Sequence, residues 1–195
     1  MGTDNRGGRR AVFLDRDGVI NRNVWNPATL EYESPLTVEA FELLPGVLPA
    51  LSQLHRAGFL LFLVSNQPNY AKQKVSMEIL DAIHQKLIAA TTRAGIAWAA
   101  WYYCFHHPEG FMQGYSGPCV CRKPSPYFLF RARRDFGLEL SLSWMIGDRE
   151  SDVQCGRAAG TRTILIADGE AGGVVVTADH RAVDLAQAVR LILGC

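Results

Sequence analysis

Short apolar runs alternate along this chain with segments of helical spacing, and that alternation leaves few architectures open. Ala11 to Asp15, Phe59 to Ser65, Trp98 to Cys104, Trp144 to Asp148 and Thr163 to Ala167 read as buried parallel strands. Gly46 to Ala57, Ser76 to Ala94, Ser125 to Phe136, Ser151 to Ala159 and Arg181 to Leu193 read as helices. Ser76 is an N-cap candidate, Pro126 suits a first turn and Gly137 a stop. Strands alternating with helices imply an α/β fold with a doubly wound parallel sheet. The chain has 195 residues, enough for one domain with a sizeable core. That domain is expected over residues 11–195, after a flexible N-terminal tail at residues 1–10. Two segments break the alternation, Arg22 to Pro45 and His106 to Pro118. Long irregular segments are often functional loops, and both should overhang the carboxyl edge of the sheet.

Charge and hydropathy narrow the partners. A net charge of +1 with no basic stripe argues against a nucleic-acid partner. The longest apolar stretches, such as Gly58 to Val64, are too short to span a bilayer. Met1 to Arg10 is polar and basic with no apolar core, unlike a secretory signal. A cytoplasmic location and a monomeric state are the default expectations.

Candidate chemistry collects at strand ends, where open α/β sheets bind ligands. The first strand runs into Asp15-Arg16-Asp17-Gly18. Extended alternation would place Asp15 and Asp17 on one side and Arg16 on the other. Two such close carboxylates repel, and a hard divalent cation is the usual means of offsetting them. An Asp-rich turn, with Gly18 supplying a positive φ, gives the same pattern. The second strand ends in Ser65-Asn66-Gln67, which can donate to an anion or merely form a polar turn. Arg122 and Lys123 precede a helix start, where cations and a helix N-terminus together cradle a phosphate. A solvated basic pair is the alternative. The fourth strand runs into Gly147-Asp148-Arg149-Glu150-Ser151-Asp152. Asp148 can complete a Mg²⁺ site with Asp15, while Asp152 either touches metal or ion-pairs with Lys123.

Cys104-Phe105-His106-His107 and Cys119-Val120-Cys121 supply two pairs of soft ligands, each pair spaced by one residue. They can converge on tetrahedral Zn²⁺, and four protein ligands leave no open position, so such a site is structural. Three of the five cysteines cluster here with histidines, which favours metal over disulfides. Core cysteines with incidental histidines are the alternative. Cys155 and Cys195 read as a helix cysteine and a chain-end cysteine. His55 and His84 read as surface or boundary residues, Trp98 and Trp101 as packing beside the sheet, and Asp168-Gly169-Glu170 as a loop.

In their order, Asp-x-Asp-Gly, a strand-end Ser, Lys and Gly-Asp-x-x-x-Asp resemble the haloacid dehalogenase superfamily of phosphatases. The resemblance implies that Asp15 attacks phosphorus and that Asp17 serves as acid and then base. It also implies Mg²⁺ held by Asp15, the Asp17 backbone carbonyl and Asp148, with Ser65 and Lys123 bonding the phosphoryl oxygens. Cys-x-His-His-Pro-Glu-Gly followed by Cys-x-Cys-Arg-Lys-Pro is similar to the heptose-bisphosphate phosphatase family. Histidinol-phosphatase domains share much of that pattern. From about Ala11 to Ala167 the resemblance implies no large cap domain, a zinc-binding loop insert, and Zn²⁺ held by Cys104, His106, Cys119 and Cys121. Substrate contacts would come from Asn23, Asn26, Asn66, Arg122 and Arg149, with a small phosphorylated sugar as substrate. Histidinol phosphate is the rival substrate, and a silent zinc-stabilised binding module the rival of another class. Two departures stand out: Pro68-Asn69-Tyr70-Ala71-Lys72 where the family has a Ser-Gly-Ile-like turn, and Tyr127 where glycine is common. The first borders the substrate mouth.

Overall fold

Two positions on β1 (Ala11–Leu14) face one core and two face another, so this strand is buried on both sides. The computed structural model describes residues 8–27, 29–167 and 177–194. After β1 come β2 (Val24–Asn26), β3 (Glu31–Glu33), α1 (Val47–Arg56), β4 (Leu60–Asn66), α2 (Met77–Arg93) and β5 (Ala100–Cys104). They are followed by α3 (Tyr127–Phe136), β6 (Trp144–Gly147), α4 (Glu150–Ala159), β7 (Arg162–Ile166), β8 (His180–Ala182) and α5 (Leu185–Leu193). Six strands form a parallel sheet in the order β5-β4-β1-β6-β7-β8. The chain steps outward from β1 through β4 to β5, then returns across β1 to β6. Strand order therefore reverses beside β1, which opens a crevice at the carboxyl ends of β1, β4 and β6.

The packing follows from the period of two along each strand. Val12, Leu14, Leu61 and Leu63 enter a core with Leu51 and Leu54 of α1, Ile83 and Leu87 of α2, and Val189 of α5. Ala11, Phe13, Phe62 and Val64 enter the opposite core with Leu129 and Ala132 of α3 and Cys155 of α4. The rings of Phe13 and Phe62 stack across neighbouring strands at 5.1 Å. Ser76 caps α2 by accepting the Ile79 N–H, as its position before the helical run predicts.

Three expectations need correction. Residues 181 to 184 are not helical: His180–Ala182 pair with β7 as a sixth strand, and Asp184 caps α5 by accepting the Gln187 N–H at 2.7 Å. Arg22 to Pro45 is not wholly irregular, because β2 and β3 form an antiparallel hairpin within it. Its residues are mostly polar or exposed, so no apolar run marks it. Arg9 and Arg10, included in the expected tail, are held: Arg9 pairs with Leu138, and the Arg10 carbonyl accepts from Leu60. The rest of that tail, Met1 to Gly7, lies outside the described residues, as do Asp168-Gly169-Glu170 and Cys195. Among the described residues no helix is long and apolar enough to cross a membrane.

Candidate active site

The β1 backbone ends by donating the Asp15 N–H to the Ile146 carbonyl of β6, at 2.9 Å, which fixes Asp15 over the crevice. Its Oδ1 accepts from Lys123 Nζ at 2.9 Å and from the Arg16 N–H at 2.8 Å. Lys123 also donates to the Val64 carbonyl at 2.7 Å and ion-pairs with Asp152. Asp152 in turn accepts the Arg149 N–H at the start of α4. One buried ammonium thus ties together the ends of β1, β4 and β6. Asn66 fixes the segment that carries it, accepting the Lys123 N–H and donating to the Lys123 carbonyl, both at 3.1 Å.

Asp148 completes the acidic group. Oxygens of Asp15, Asp148 and Asp152 lie within 4.8 Å of one another. Gly18 permits this approach: its φ is +79°, and a Cβ there would lie 2.1 Å from Asp148 Oδ2. Asn23 donates to that same oxygen at 3.2 Å, but Asp148 Oδ1 is buried with no hydrogen-bond partner. A buried carboxylate oxygen left without a donor costs about 1–3 kcal/mol or more, and a hard cation is a fitting partner. Burial lifts Asp15 to about 6, against the pull of Lys123, with Asp152 and Asp17 adding to the rise. Burial likewise lifts Asp148 to about 7, reinforced by the charges of Asp15 and Asp152. Burial opposes the charge on Lys123, yet Asp15 and Asp152 hold its ammonium above the usual lysine range.

Arg16 does not face away from Asp17. The strand ends at Leu14, so alternation stops, and the turn brings the guanidinium back onto Asp17 Oδ1 at 3.1 Å. Asn21 donates to the same oxygen at 2.9 Å, and Gln67 donates to Asp17 Oδ2 at 2.6 Å. Ser65 is buried beside them and accepts from Gln67 at 2.9 Å. Arg16, Asn21 and Gln67 were not singled out from the sequence as site residues. The Asp-Arg-Asp-Gly and Ser-Asn-Gln strings carried two of them in plain view, but which side chains meet depends on a turn whose path sequence spacing does not give.

A cleft of about 180 Å³ opens above these groups. Asp15, Asp17, Asn66, Lys123 and Arg149 line its floor and edge, with Lys72 and Arg122 also on its wall. Asn26 is not among the lining residues; the hairpin contributes Glu31, Tyr32, Glu33 and Ser34 instead. The helix start on the cleft is that of α4, through Arg149 and Ser151, rather than that of α3. The departure after β4 joins both overhanging loops. Asn69 donates to Ser34 and Lys74 pairs with Glu33, fastening the hairpin. The Ala71 carbonyl accepts from Phe111 and Met112, and Tyr70 packs edge-on against Tyr115, fastening the other loop.

That second loop gathers Cys104, His106, Cys119 and Cys121, whose ligand atoms lie within 4.8 Å of one another. His106 Nδ1 stands 3.9 Å from the sulfurs of Cys104 and Cys121. His107 lies outside the cluster, its Nδ1 accepting from the Glu109 N–H in a local turn. Three sulfurs and one imidazole in this arrangement suit Zn²⁺. Arg122 follows the last of these cysteines directly and donates to the His106 carbonyl.

The HAD-hydrolase-like family profile matches residues 120–190, which span α3 to most of α5. The D-glycero-β-D-manno-heptose-1,7-bisphosphate 7-phosphatase of Salmonella typhi is 31% identical over 161 residues, covering 82% of this chain and 81% of its own. The Vibrio cholerae enzyme of the same name is 35% identical over 161 residues, covering 82% of both. A D,D-heptose 1,7-bisphosphate phosphatase from B. bronchiseptica, solved with magnesium and phosphate, superposes with a TM-score of 0.77 at 28% identity. It covers 95% of this chain and 98% of its own. The chain therefore belongs to the haloacid dehalogenase-like phosphatases and is a phosphoric monoester hydrolase.

Proposed function

We propose that this chain is a Mg²⁺-dependent phosphatase that removes the C7 phosphate of D-glycero-D-manno-heptose 1,7-bisphosphate through an aspartyl-phosphate. The names of its relatives support the substrate, and one feature of the cleft carries it. Lys72, Arg122 and Arg149 line the cleft, and among the described residues none forms an ion pair with a carboxylate. Lys123 is meanwhile spent on Asp15 and Asp152. A substrate with a second phosphate, beyond the one being transferred, would answer the unpaired cations. Asn66, whose amide is engaged by the Lys123 backbone, acts by holding Lys123 rather than by reading the sugar.

In the first step an Asp15 carboxylate oxygen bonds to phosphorus. The bond from phosphorus to the C7 oxygen breaks with its electron pair on oxygen, and Asp17 supplies the proton. Water then attacks phosphorus while Asp17 takes its proton, and the bond to Asp15 breaks to restore the carboxylate and release phosphate. Ser65 donates to a non-bridging oxygen, while Lys123, its three N–H groups held by Asp15, Asp152 and the Val64 carbonyl, acts on the phosphoryl group through its charge. Mg²⁺ would be held by Asp15, Asp148 and the Asp17 carbonyl, where it offsets the charge of the transferring oxygens. Asp152 is left out of that set because Lys123 and the Arg149 N–H engage it. Zn²⁺ held by Cys104, His106, Cys119 and Cys121 would keep Arg122 in place, through its bond to the His106 carbonyl.

A substrate panel tests the assignment. We expect kcat/KM for one heptose bisphosphate anomer to exceed that for histidinol phosphate by at least about tenfold, equivalent to ~1.4 kcal/mol of transition-state binding. The reverse ratio would give the site to histidinol phosphate. No turnover of any phosphate ester would favour a silent binding module.

The acidic group also gives a pH test. Asp15 and Asp148 titrate higher when folded than the ordinary carboxyl value near 4. Their contribution to stability is thus fully present below about pH 4 and is lost as pH rises through 6 and 7. A cation that takes the ionised form should recover it. Thermal melts of metal-free protein should therefore show a larger increase on adding Mg²⁺ at pH 8 than at pH 5. Equal increments at the two pH values would count against carboxylate ligation here.

A further inference from the structure

Asp17 is held unequally at its two oxygens. Oδ1 accepts from Arg16 Nη2 at 3.1 Å, Arg16 Nε at 3.3 Å and Asn21 Nδ2 at 2.9 Å. With three donors aimed at it, Oδ1 has no lone pair left to carry a proton. Oδ2 accepts one bond, from Gln67 Nε2 at 2.6 Å. It keeps a lone pair, and Asp17 lines the cleft.

Gln67 cannot present its amide the other way. Arg16 Nη2 donates to Gln67 Oε1 at 3.0 Å, and a guanidinium has only donors, so the carbonyl end must face it. The NH₂ end is then turned to Asp17 and to Ser65 Oγ, at 2.6 and 2.9 Å. The Gln67 backbone is pinned as well, its N–H donating to the Cys104 carbonyl at 2.7 Å. Arg16 and Gln67 are each 1% exposed, so water does not compete for these bonds. Behind them the Tyr103 hydroxyl, on β5, meets His84 Nδ1 at 3.0 Å.

Resting on the acid role proposed for Asp17, we infer that Gln67, locked by Arg16, is a positioning residue that presents Asp17 Oδ2 to the leaving oxygen. Gln67 touches neither the phosphoryl group nor the sugar; it acts through Asp17. The prediction is selective. An alkoxide leaving group needs the proton as its bond breaks, whereas a nitrophenolate leaves without it. Loss of positioning should therefore slow alkyl phosphates far more than aryl phosphates.

The test measures leaving-group release in a single turnover, before water attack, for wild type, Gln67→Met and Asp17→Asn. The substrates are p-nitrophenyl phosphate and the sugar phosphate turned over fastest in the panel above. For Gln67→Met the sugar-phosphate rate should fall about 10²-fold, as a misplaced catalytic group does. The loss on p-nitrophenyl phosphate should be at least about tenfold smaller, by the share of rate that proton donation supplies. Gln67→Glu keeps the acceptor toward Arg16 and loses the N–H donor, so it should show the same selectivity if the Met variant does not fold. Equal losses on both substrates, or no loss on the sugar phosphate, would overturn the positioning role. Asp17→Asn separates the two readings. Selective loss there without selective loss in the Gln67 variants overturns only the positioning of Asp17, and non-selective loss in Asp17→Asn overturns the acid role itself.

Discussion

Asp15→Asn is expected to remove turnover by at least about 10⁴-fold while leaving the protein as stable as wild type or more so. Loss of a nucleophile commonly costs that much, because no neighbouring group can form the covalent bond in its place. The stability half follows from the surroundings. Burial lifts Asp15 to about 6, so ionising it at neutral pH costs more in the folded protein than in the unfolded chain. An amide of the same shape ends that cost. Lys123 would lose one partner but keep Asp152 and the Val64 carbonyl, so no buried ammonium is stranded. Without metal at pH 7.5 the variant should melt at the wild-type temperature or a few degrees higher, since about 1 kcal/mol moves a chain of this size by ~2–4 °C. The Mg²⁺ increment in its melting temperature should shrink as well. A variant that retains turnover would remove Asp15 as nucleophile. One that melts well below wild type would mean that the Asp15 charge is a net structural support.

The sequence exposed this site to the degree that strand ends can be read from it. Asp15, Ser65, Lys123 and Asp148 each sit within a residue or so of the end of an apolar run, or just ahead of a helix. Parallel topology then brings those ends to one edge without further information. What was hidden depends on how the chain turns after a strand. Alternation read through to Asp17 turns Arg16 away, but β1 stops at Leu14, three residues earlier. Gln67 was visible as part of a polar triplet, but only the turn shows that its amide meets Asp17. The hairpin escaped because two three-residue strands with exposed side chains produce no apolar period. Asn26 was expected at the substrate entrance, and the hairpin places residues 31–34 there instead. Arg181 and Ala182 read as the start of a helix because they have no strand signature; the pairing with β7 decides their conformation.

Removing the metal from the cysteine cluster is expected to cost both stability and substrate affinity, because one loop carries the ligands and the cations together. Metal analysis of protein prepared without chelator should find about one zinc per chain. The segment from Phe105 to Arg122 has little regular structure, and its side-chain packing runs through Tyr70, Phe105 and Tyr115. Structural zinc in small loops contributes roughly 10 kcal/mol or more of apparent binding energy at neutral pH, which is folding energy for the segment it closes. Cys119→Ser removes one thiolate and so weakens that closure. Arg122 immediately follows Cys121 and donates to the His106 carbonyl, so a loosened loop moves the cation that lines the cleft. Lys123 is held separately by Asn66, Asp15 and Asp152, so it should keep its place. The expected signature is therefore a split. KM for the bisphosphate should rise about tenfold or more, and kcat should fall much less, because the phosphoryl-transfer groups remain. Tryptic cleavage should appear first at Arg122. If the zinc-depleted protein kept wild-type KM and resisted that cleavage, the loop would have to be held by its aromatic contacts alone.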